Sequence, residues 1–322
     1  MTIHKSVLLK EAVDALNLKN GSVVVDATLG GGGHSQEILK RILPDGKLIA
    51  IDRDKKAVEN FLLKIKNGEQ SNDIEEERNL FLKNDNFSEI KSILKSVGIN
   101  KVDAILADFG LSSDQLDDRD RGFSFLSDAG LDMRMDRNQK ITAKDIVNEY
   151  SEKELIHIFR DFGEEKYAQR IAKKIIEERT KEEIKSTKKL VEIISVVVPE
   201  KDKHKRIHFA TKVFQAIRME VNQELESIER FIVDAVDCLK ENGRLAVISF
   251  HSGEDRIVKK IFKNLEKGCV CPPEFPVCRC DKRAVIRIIT KKPIIANDEE
   301  VKANPRARSA RMRIIEKIKN KK

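Results

Sequence analysis

The sequence predicts an α/β fold, a doubly wound and largely parallel sheet, with an all-helical domain inserted into it. Three observations predict this. Short apolar runs, each ending in a carboxylate, alternate with helical segments from Gly21 to about Asp108. Four consecutive glycines follow the first of those carboxylates. From Asp114 to about Ile207 the strand signal gives way to amphipathic helices, and the α/β pattern then returns. Boundaries follow at 1–113 and 208–322 for a discontinuous sheet domain and 114–207 for the insert.

The first strand is expected in SVVVDA (Ser22 to Ala27), the second in KLIAID (Lys47 to Asp52) and the fourth in VDAILAD (Val102 to Asp108). Apolar runs that alternate with helices belong to a parallel sheet covered by helices. A third strand precedes Asp85 and Phe87 in LKNDNFSEI. In the insert, Ser151 and Glu154 form a capping box ahead of LIHIF, and a second helix is expected from Glu164 to Arg179. A long helix from about Ala210 to Lys240 leads through the turn Glu241-Asn242-Gly243 into the strand RLAVISF, Arg244 to Phe250. The runs AVIRIIT and SARMRII alternate, as an antiparallel pair at a sheet edge would.

Composition narrows the function. No stretch of about 18 apolar residues is present, which excludes a spanning helix of ordinary length. The first residues lack an apolar core and a small-residue cleavage site, so a cytoplasmic protein is expected. The chain of 322 residues carries a formal charge of +8 with a pI near 9.1. Basic residues dominate from Lys282 to Lys322, which points to a polyanionic partner or to a Lys-rich solvated tail.

The strongest chemical signal is DATLGGGGHS, Asp26 to Ser35. Glycines let a backbone turn sharply and approach a ligand closely, with helix amides nearby. Asp52 ends the next strand, where a carboxylate accepts the hydroxyls of a ribose. Together they point to a nucleoside cofactor at the carboxyl edge of the sheet. The dinucleotide pattern Gly-x-Gly-x-x-Gly fails, because its last position falls on Ser35. Asp26 would repel a pyrophosphate and attract the ammonium and sulfonium of S-adenosylmethionine. Phe87 and Asp85 sit where an adenine is met by apolar contact and hydrogen bond, or Phe87 is ordinary core.

Asp108 closes the fourth strand in ADFGLSS. A carboxylate there lies near a methyl group to be transferred. An exocyclic base amine is a poor nucleophile, and an acceptor that localises its lone pair also stabilises the charge developing on nitrogen. No cysteine is placed here as a nucleophile, which disfavours carbon methylation through a covalent adduct, and a target base would have to be unstacked.

Other residues admit two readings each. His251 either contacts a polyanionic partner or orders its turn, and Arg134 either grips that partner or pairs with a neighbouring Asp. Arg306, Arg308, Arg311 and Arg313 in NPRARSARMR suit phosphate contacts, or alternate along a solvated strand. Cys269, Cys271, Cys278 and Cys280 form C-x-C-P-P-x4-C-x-C. Four such thiolates on a proline-stiffened loop either hold a structural zinc or remain reduced or redox-paired thiols.

These motifs are similar, in co-linear order from His4 to the C-terminus, to those of the bacterial small-subunit ribosomal RNA (cytosine-N4)-methyltransferases, the methyltransferase H family. The resemblance rests on DATLGGGGHS, IDRD, ADFGLSSDQLDDRDRGFSF, LDMRMD, FGEEKYAQRIA, VFQAIRMEVNQELE, ISFHSGEDRIVK and NPRARSARMR. It implies a class I (Rossmann-like) methyltransferase fold and S-adenosyl-L-methionine as cofactor. It further implies methylation of cytosine 1402 in the 16S rRNA of the small ribosomal subunit. Carried over, the cofactor contacts fall on Gly32, Gly33, His34, Asp52, Phe87, Asp108 and Gln115, with His34 and Gln115 implied by the resemblance alone. The chain departs from the family pattern at Phe109, at Asp114 where a proline is usual, at Phe209 and at Gly253. These changes touch the substrate pocket more than the cofactor site. A DNA amino-methyltransferase and a non-catalytic ribosome-assembly factor are the competing readings. The sequence leaves the oligomeric state open, a homodimer included.

Overall fold

The computed structural model describes residues 6–67, 74, 78–110, 121–269, 271, 275, 277, 279–280 and 282–319. Seven strands form one mixed sheet: β1 Val23–Asp26, β2 Lys47–Asp52, β3 Leu80–Asn84, β4 Val102–Asp108, β5 Leu239–Ser249, β6 Ile286–Ile288 and β7 Arg311–Lys317. Their order is β3-β2-β1-β4-β5-β7-β6. The first five are parallel, and β7 runs antiparallel to both β5 and β6. This is the α/β, Rossmann-like sheet that the glycine turn and the carboxylate-ending strands predict, and the two final runs pair as expected.

The strands are apolar on both faces because both faces are covered. Val24, Leu48, Leu106 and Ile248 point to a core shared with Val13, Ile38 and Phe61. Their neighbours Val25, Ile49, Ala107 and Val247 point to the opposite core, shared with Ile93, Phe231 and Phe262. The side-chain period of two thus feeds two separate cores. The strand order reverses between β1 and β4, and at such a switch point a crevice opens beyond the carboxyl ends of the strands.

The chain divides into two compact units, 1–110 with 225–322, and 111–224. The second unit is helical, built from Ala143–Glu149, Glu152–His157, Ala168–Arg179, Thr187–Val197, Glu200–Lys203 and Thr211–Val221 around its own apolar core. It extends past Ile207 because Val213, Phe214, Ala216 and Ile217 are buried in that core. The Ser151/Glu154 capping box is present at the helix Glu152–His157.

Two helices differ from their sequence-based bounds. The segment expected as one helix from Ala210 to Lys240 is two, Thr211–Val221 and Glu224–Cys238. Asn222 spends its side chain elsewhere: its Oδ1 accepts from the Met135 N–H at 2.7 Å and its Nδ2 donates to the Met133 carbonyl at 2.8 Å. Gln223 then adopts φ 49°, which ends the helix. The helix expected from Glu164 starts only at Ala168, since Glu164 itself has φ 50°.

Candidate active site

The glycine turn is stitched to the strands beside it. The Ala27 N–H donates to the Leu106 carbonyl on β4, and the Leu29 N–H to the Ile51 carbonyl on β2. Asp26, fully buried, accepts from Ser35 Oγ at 2.6 Å and from the Thr28 N–H at 3.2 Å. Burial nonetheless pushes its pKa up to about 6. The sequence argument gave Asp26 a direct attraction for a cationic cofactor; with no exposed surface, it acts on the site as a field and as the brace of the turn.

Glycine is required at two places. Gly32 has φ 76° and a Cβ there would lie 2.1 Å from the Phe61 ring. A Cβ on Gly33 would lie 2.1 Å from Ser6 Oγ. The turn is therefore glycine-rich because core and N-terminal segment press against it, as well as to admit a ligand.

Asp52 is partly buried at the end of β2. Its Oδ2 accepts from the Gly30 N–H and its Oδ1 from the Asp54 N–H, each at 2.8 Å. The carboxylate thus ties the two loops together while each oxygen keeps a lone pair for a further donor. Burial raises its pKa to about 6, those two amides oppose the rise, and the charges of Asp54 and Asp26 add to it.

Phe87, at the turn after β3, packs with Phe109 (5.5 Å between centroids) and Phe231 (5.2 Å). The Arg53 guanidinium lies 5.4 Å over its ring and also donates to Ser227 Oγ at 2.7 Å. Phe87 is therefore a wall residue, one side in the core and the rest partly open. Asp85 is exposed, and its N–H donates to the Asp52 carbonyl at 3.0 Å.

At the end of β4, the Asp108 N–H donates to Thr28 Oγ1 at 2.6 Å, which couples this strand tip to the glycine turn. Asp108 Oδ2 lies 3.9 Å from His34 Nδ1, while His34 Nε2 is 3.1 Å from the Val7 carbonyl. Asp108 Oδ1 is buried and has no hydrogen-bond partner among the described residues. Burial, then the charges of Asp26 and Glu254, hold its pKa well above the ordinary carboxylate range.

Glu254 is a site residue that motif reasoning passed over. It is fully buried and its Oε2 accepts from the Phe250 N–H at 2.7 Å and the His251 N–H at 3.3 Å. His251 Nδ1 in turn accepts from the Glu254 N–H at 3.3 Å, which completes a capping box on the helix Ser252–Glu266. The readable signal was His251-x-x-Glu254 directly after a buried strand. Thr28 was missed too, because its task is set by a strand eighty positions away.

The turn, Asp52, Phe87 and Asp108 thus gather at one sheet edge. A model of the MraW methylase family matches residues 1–318 of the sequence. The chain belongs to the MraW methylase family. Among its relatives, the ribosomal RNA small subunit methyltransferase H of Clostridium botulinum (strain Loch Maree / Type A3) is 49% identical over 98% of this chain and 99% of its own length. The protein of the same name from Clostridioides difficile (strain 630) is 46% identical over the same shares. A solved rRNA methylase from Streptococcus thermophilus aligns at TM-score 0.43 and 10% identity, over 99% of this chain and 100% of that one. The fold class rests on this chain's own strand order rather than on that loose likeness.

Within this MraW methylase, several residues with two readings have structural partners. Arg134 holds Asp132 with two bonds, Nε to Oδ1 at 2.8 Å and Nη2 to Oδ2 at 2.9 Å. Arg313 is buried and grips Asp255 at 2.6 and 3.0 Å, with Arg311 beside the same carboxylate at 3.3 Å. Arg306 and Arg308 are exposed. His251 orders its turn. Gln115, Asp114 and Cys278 lie outside the described residues.

The helical unit holds a cavity of about 480 Å³. Lys166, Lys205, Arg206 and Lys212 line it together with Tyr167, His208 and Phe209, and with Glu165 and Asp202, the latter paired with Lys166 and Lys205 at 2.6 Å each. His208 is stacked between Phe125 (4.5 Å) and Phe209 (4.2 Å), and burial lowers its pKa. No described helix is long and apolar enough to cross a membrane.

Proposed function

We propose that this MraW methylase transfers the methyl group of S-adenosylmethionine to the N4 amine of a cytosine in 16S rRNA of the small ribosomal subunit. The observation that carries the reading is Asp108: a carboxylate oxygen buried without a donor among the described residues, at the tip of the strand beside the glycine turn. An acceptor so placed is completed by a donor from a substrate. The names of the methyltransferase H relatives support ribosomal RNA as that substrate. The cytosine position, 1402, and the N4 atom are those the motif resemblance implies.

The residues present fit the cofactor. Gly32 and Gly33 give a backbone approach free of side chains, Asp52 retains lone pairs for ribose hydroxyls, and Phe87 offers an apolar wall. His34 and Gln115 complete the contact set by resemblance. When bound, the cofactor supplies an electrophilic methyl on sulfur. Asp108 Oδ1 would accept a hydrogen bond from the cytosine amine and so orient the nitrogen lone pair for attack. A methylated amine nitrogen would be acidic, and the Asp108 carboxylate would be placed to take its proton. The raised pKa of this carboxyl suits it to hold that proton.

The helical unit serves as the substrate-recognition domain. Its cavity, with four cations against two carboxylates and with the rings of Tyr167, His208 and Phe209, offers what unstacked RNA requires: cations for phosphate and rings for a base. Action in the cytoplasm fits that substrate.

The test is transfer of labelled methyl to small ribosomal subunits, with nucleoside mass spectrometry of the product. N4-methylated cytidine is expected. Labelling of duplex DNA in preference to subunits would overturn the reading in favour of a DNA amino-methyltransferase. Subunit binding with no transfer would leave an assembly factor.

A further inference from the structure

We propose that Cys269, Cys271 and Cys280 bind a zinc ion that staples the loop between the helix Ser252–Glu266 and β6. The inference is independent of methyl transfer. The three Sγ atoms lie within 4.8 Å of one another. A zinc–thiolate bond of about 2.3 Å sets the edge of a tetrahedron at about 3.8 Å. The Cys280 and Cys269 sulfurs are 3.7 Å apart. Cys278, the remaining cysteine of the motif, lies outside the described residues, and the argument stands on the three described thiols.

The surrounding backbone favours thiolates. The Cys271 N–H donates to Cys269 Sγ at 3.4 Å, and the Arg279 N–H to Cys271 Sγ at 3.3 Å. Hydrogen bonds to a sulfur favour its charged form, which is the form that ligates. Arg279, Lys282 and Arg283 stand next to the cysteines in the sequence and offset the negative charge of a thiolate site.

The loop also needs a staple. Its ends are pinned where the Val285 N–H donates to the Leu265 carbonyl at 3.0 Å and the Ile288 N–H to Glu266 Oε1 at 2.8 Å. Between those pins no described residue is buried, and Phe275 and Val277 are 47% and 69% exposed. A long excursion whose described residues build no core gains order from a metal, since binding and ordering share one free energy. Soft thiolates select zinc over the hard divalent cations.

The full-length chain, purified under reducing conditions with zinc and then desalted, is assayed by elemental mass spectrometry. About one zinc per chain is expected. Cys269→Ser with Cys280→Ser lowers that content at least about tenfold, whereas Cys238→Ser, in the main core, leaves it unchanged. Cobalt(II) in place of zinc gives the intense visible bands of a tetrahedral thiolate site. If the double variant does not fold, the cobalt spectrum of the native chain, and zinc release on titration of its thiols with a mercurial, carry the test. A native chain holding less than about a tenth of an equivalent of zinc overturns the proposal. So does an iron–sulfur chromophore, or a Cys269–Cys280 disulfide in the reduced preparation.

Discussion

Asp26 is a charge the fold keeps at a cost, and Asp26→Asn should expose that cost. The carboxyl is fully buried, and its pKa stands near 6 against an ordinary 3.8. Between those values the folded chain holds a proton that the unfolded chain has lost. Stability is therefore full below about pH 4 and falls as pH rises through 6. A shift of about two units corresponds to about 3 kcal/mol at neutral pH. Asparagine does not titrate, and its amide keeps a partner for both the Thr28 N–H and Ser35 Oγ. Urea unfolding of the cofactor-free chain from pH 4 to 8 is the assay. The variant should gain on the native protein between about pH 4 and pH 6 and then hold a constant advantage of about 3 kcal/mol up to pH 8. Loss of the Asp26 charge also lowers the Asp108 and Asp52 pKa values, which flattens the variant's profile further. The same variant should bind S-adenosylmethionine more weakly in calorimetry, because a cation loses a nearby anion. A stability difference that stays constant across pH would refute the reasoning.

Further outcomes follow from the same geometry. Asp108→Ala should lower methyl transfer by about 10²–10³-fold while cofactor-free stability holds or rises; undiminished transfer removes Asp108 from the mechanism. The native rate should fall as pH drops through the raised Asp108 pKa, because the protonated carboxyl no longer accepts from the amine, and a flat profile over that range counts against this role. Gly32→Ala forces a side chain at φ 76° into the Phe61 ring and should cost about 2–4 kcal/mol in urea unfolding. Asp255→Ala leaves the buried Arg313 guanidinium unpaired, with an expected loss of about 3–5 kcal/mol. Replacing Lys166 and Arg206 with alanine should weaken subunit binding and flatten its salt dependence, both measured by filter binding at several ionic strengths.

The strands, the glycine turn, the Ser151 capping box and the carboxylates at the strand tips were legible in the sequence, since each is encoded within a few residues. A strand buried on both faces must be apolar at consecutive positions, and a turn at φ 76° beside an aromatic ring must be glycine. The break at Asn222 was not legible, because its cause is the loop at Met133 and Met135, almost ninety positions upstream. Arginines in NPRARSARMR looked alike as letters, yet Arg313 is buried on Asp255 while Arg306 is exposed. Periodicity alone could not separate them, because the ion pair joins strands and helices far apart in the chain.

The sequence by itself determined which groups could do chemistry: a side-chain-free turn, acids at strand ends, thiols in a tight cluster. Only the tertiary structure decided their states. Packing strands β1 and β4 side by side draws Asp26 and Asp108 out of water together with Glu254, and that shared burial, with its mutual repulsion, raises the Asp108 pKa. The same packing leaves one Asp108 oxygen without a donor among the described residues. Desolvation depends on what surrounds a group in three dimensions, so no local pattern of residues carries it.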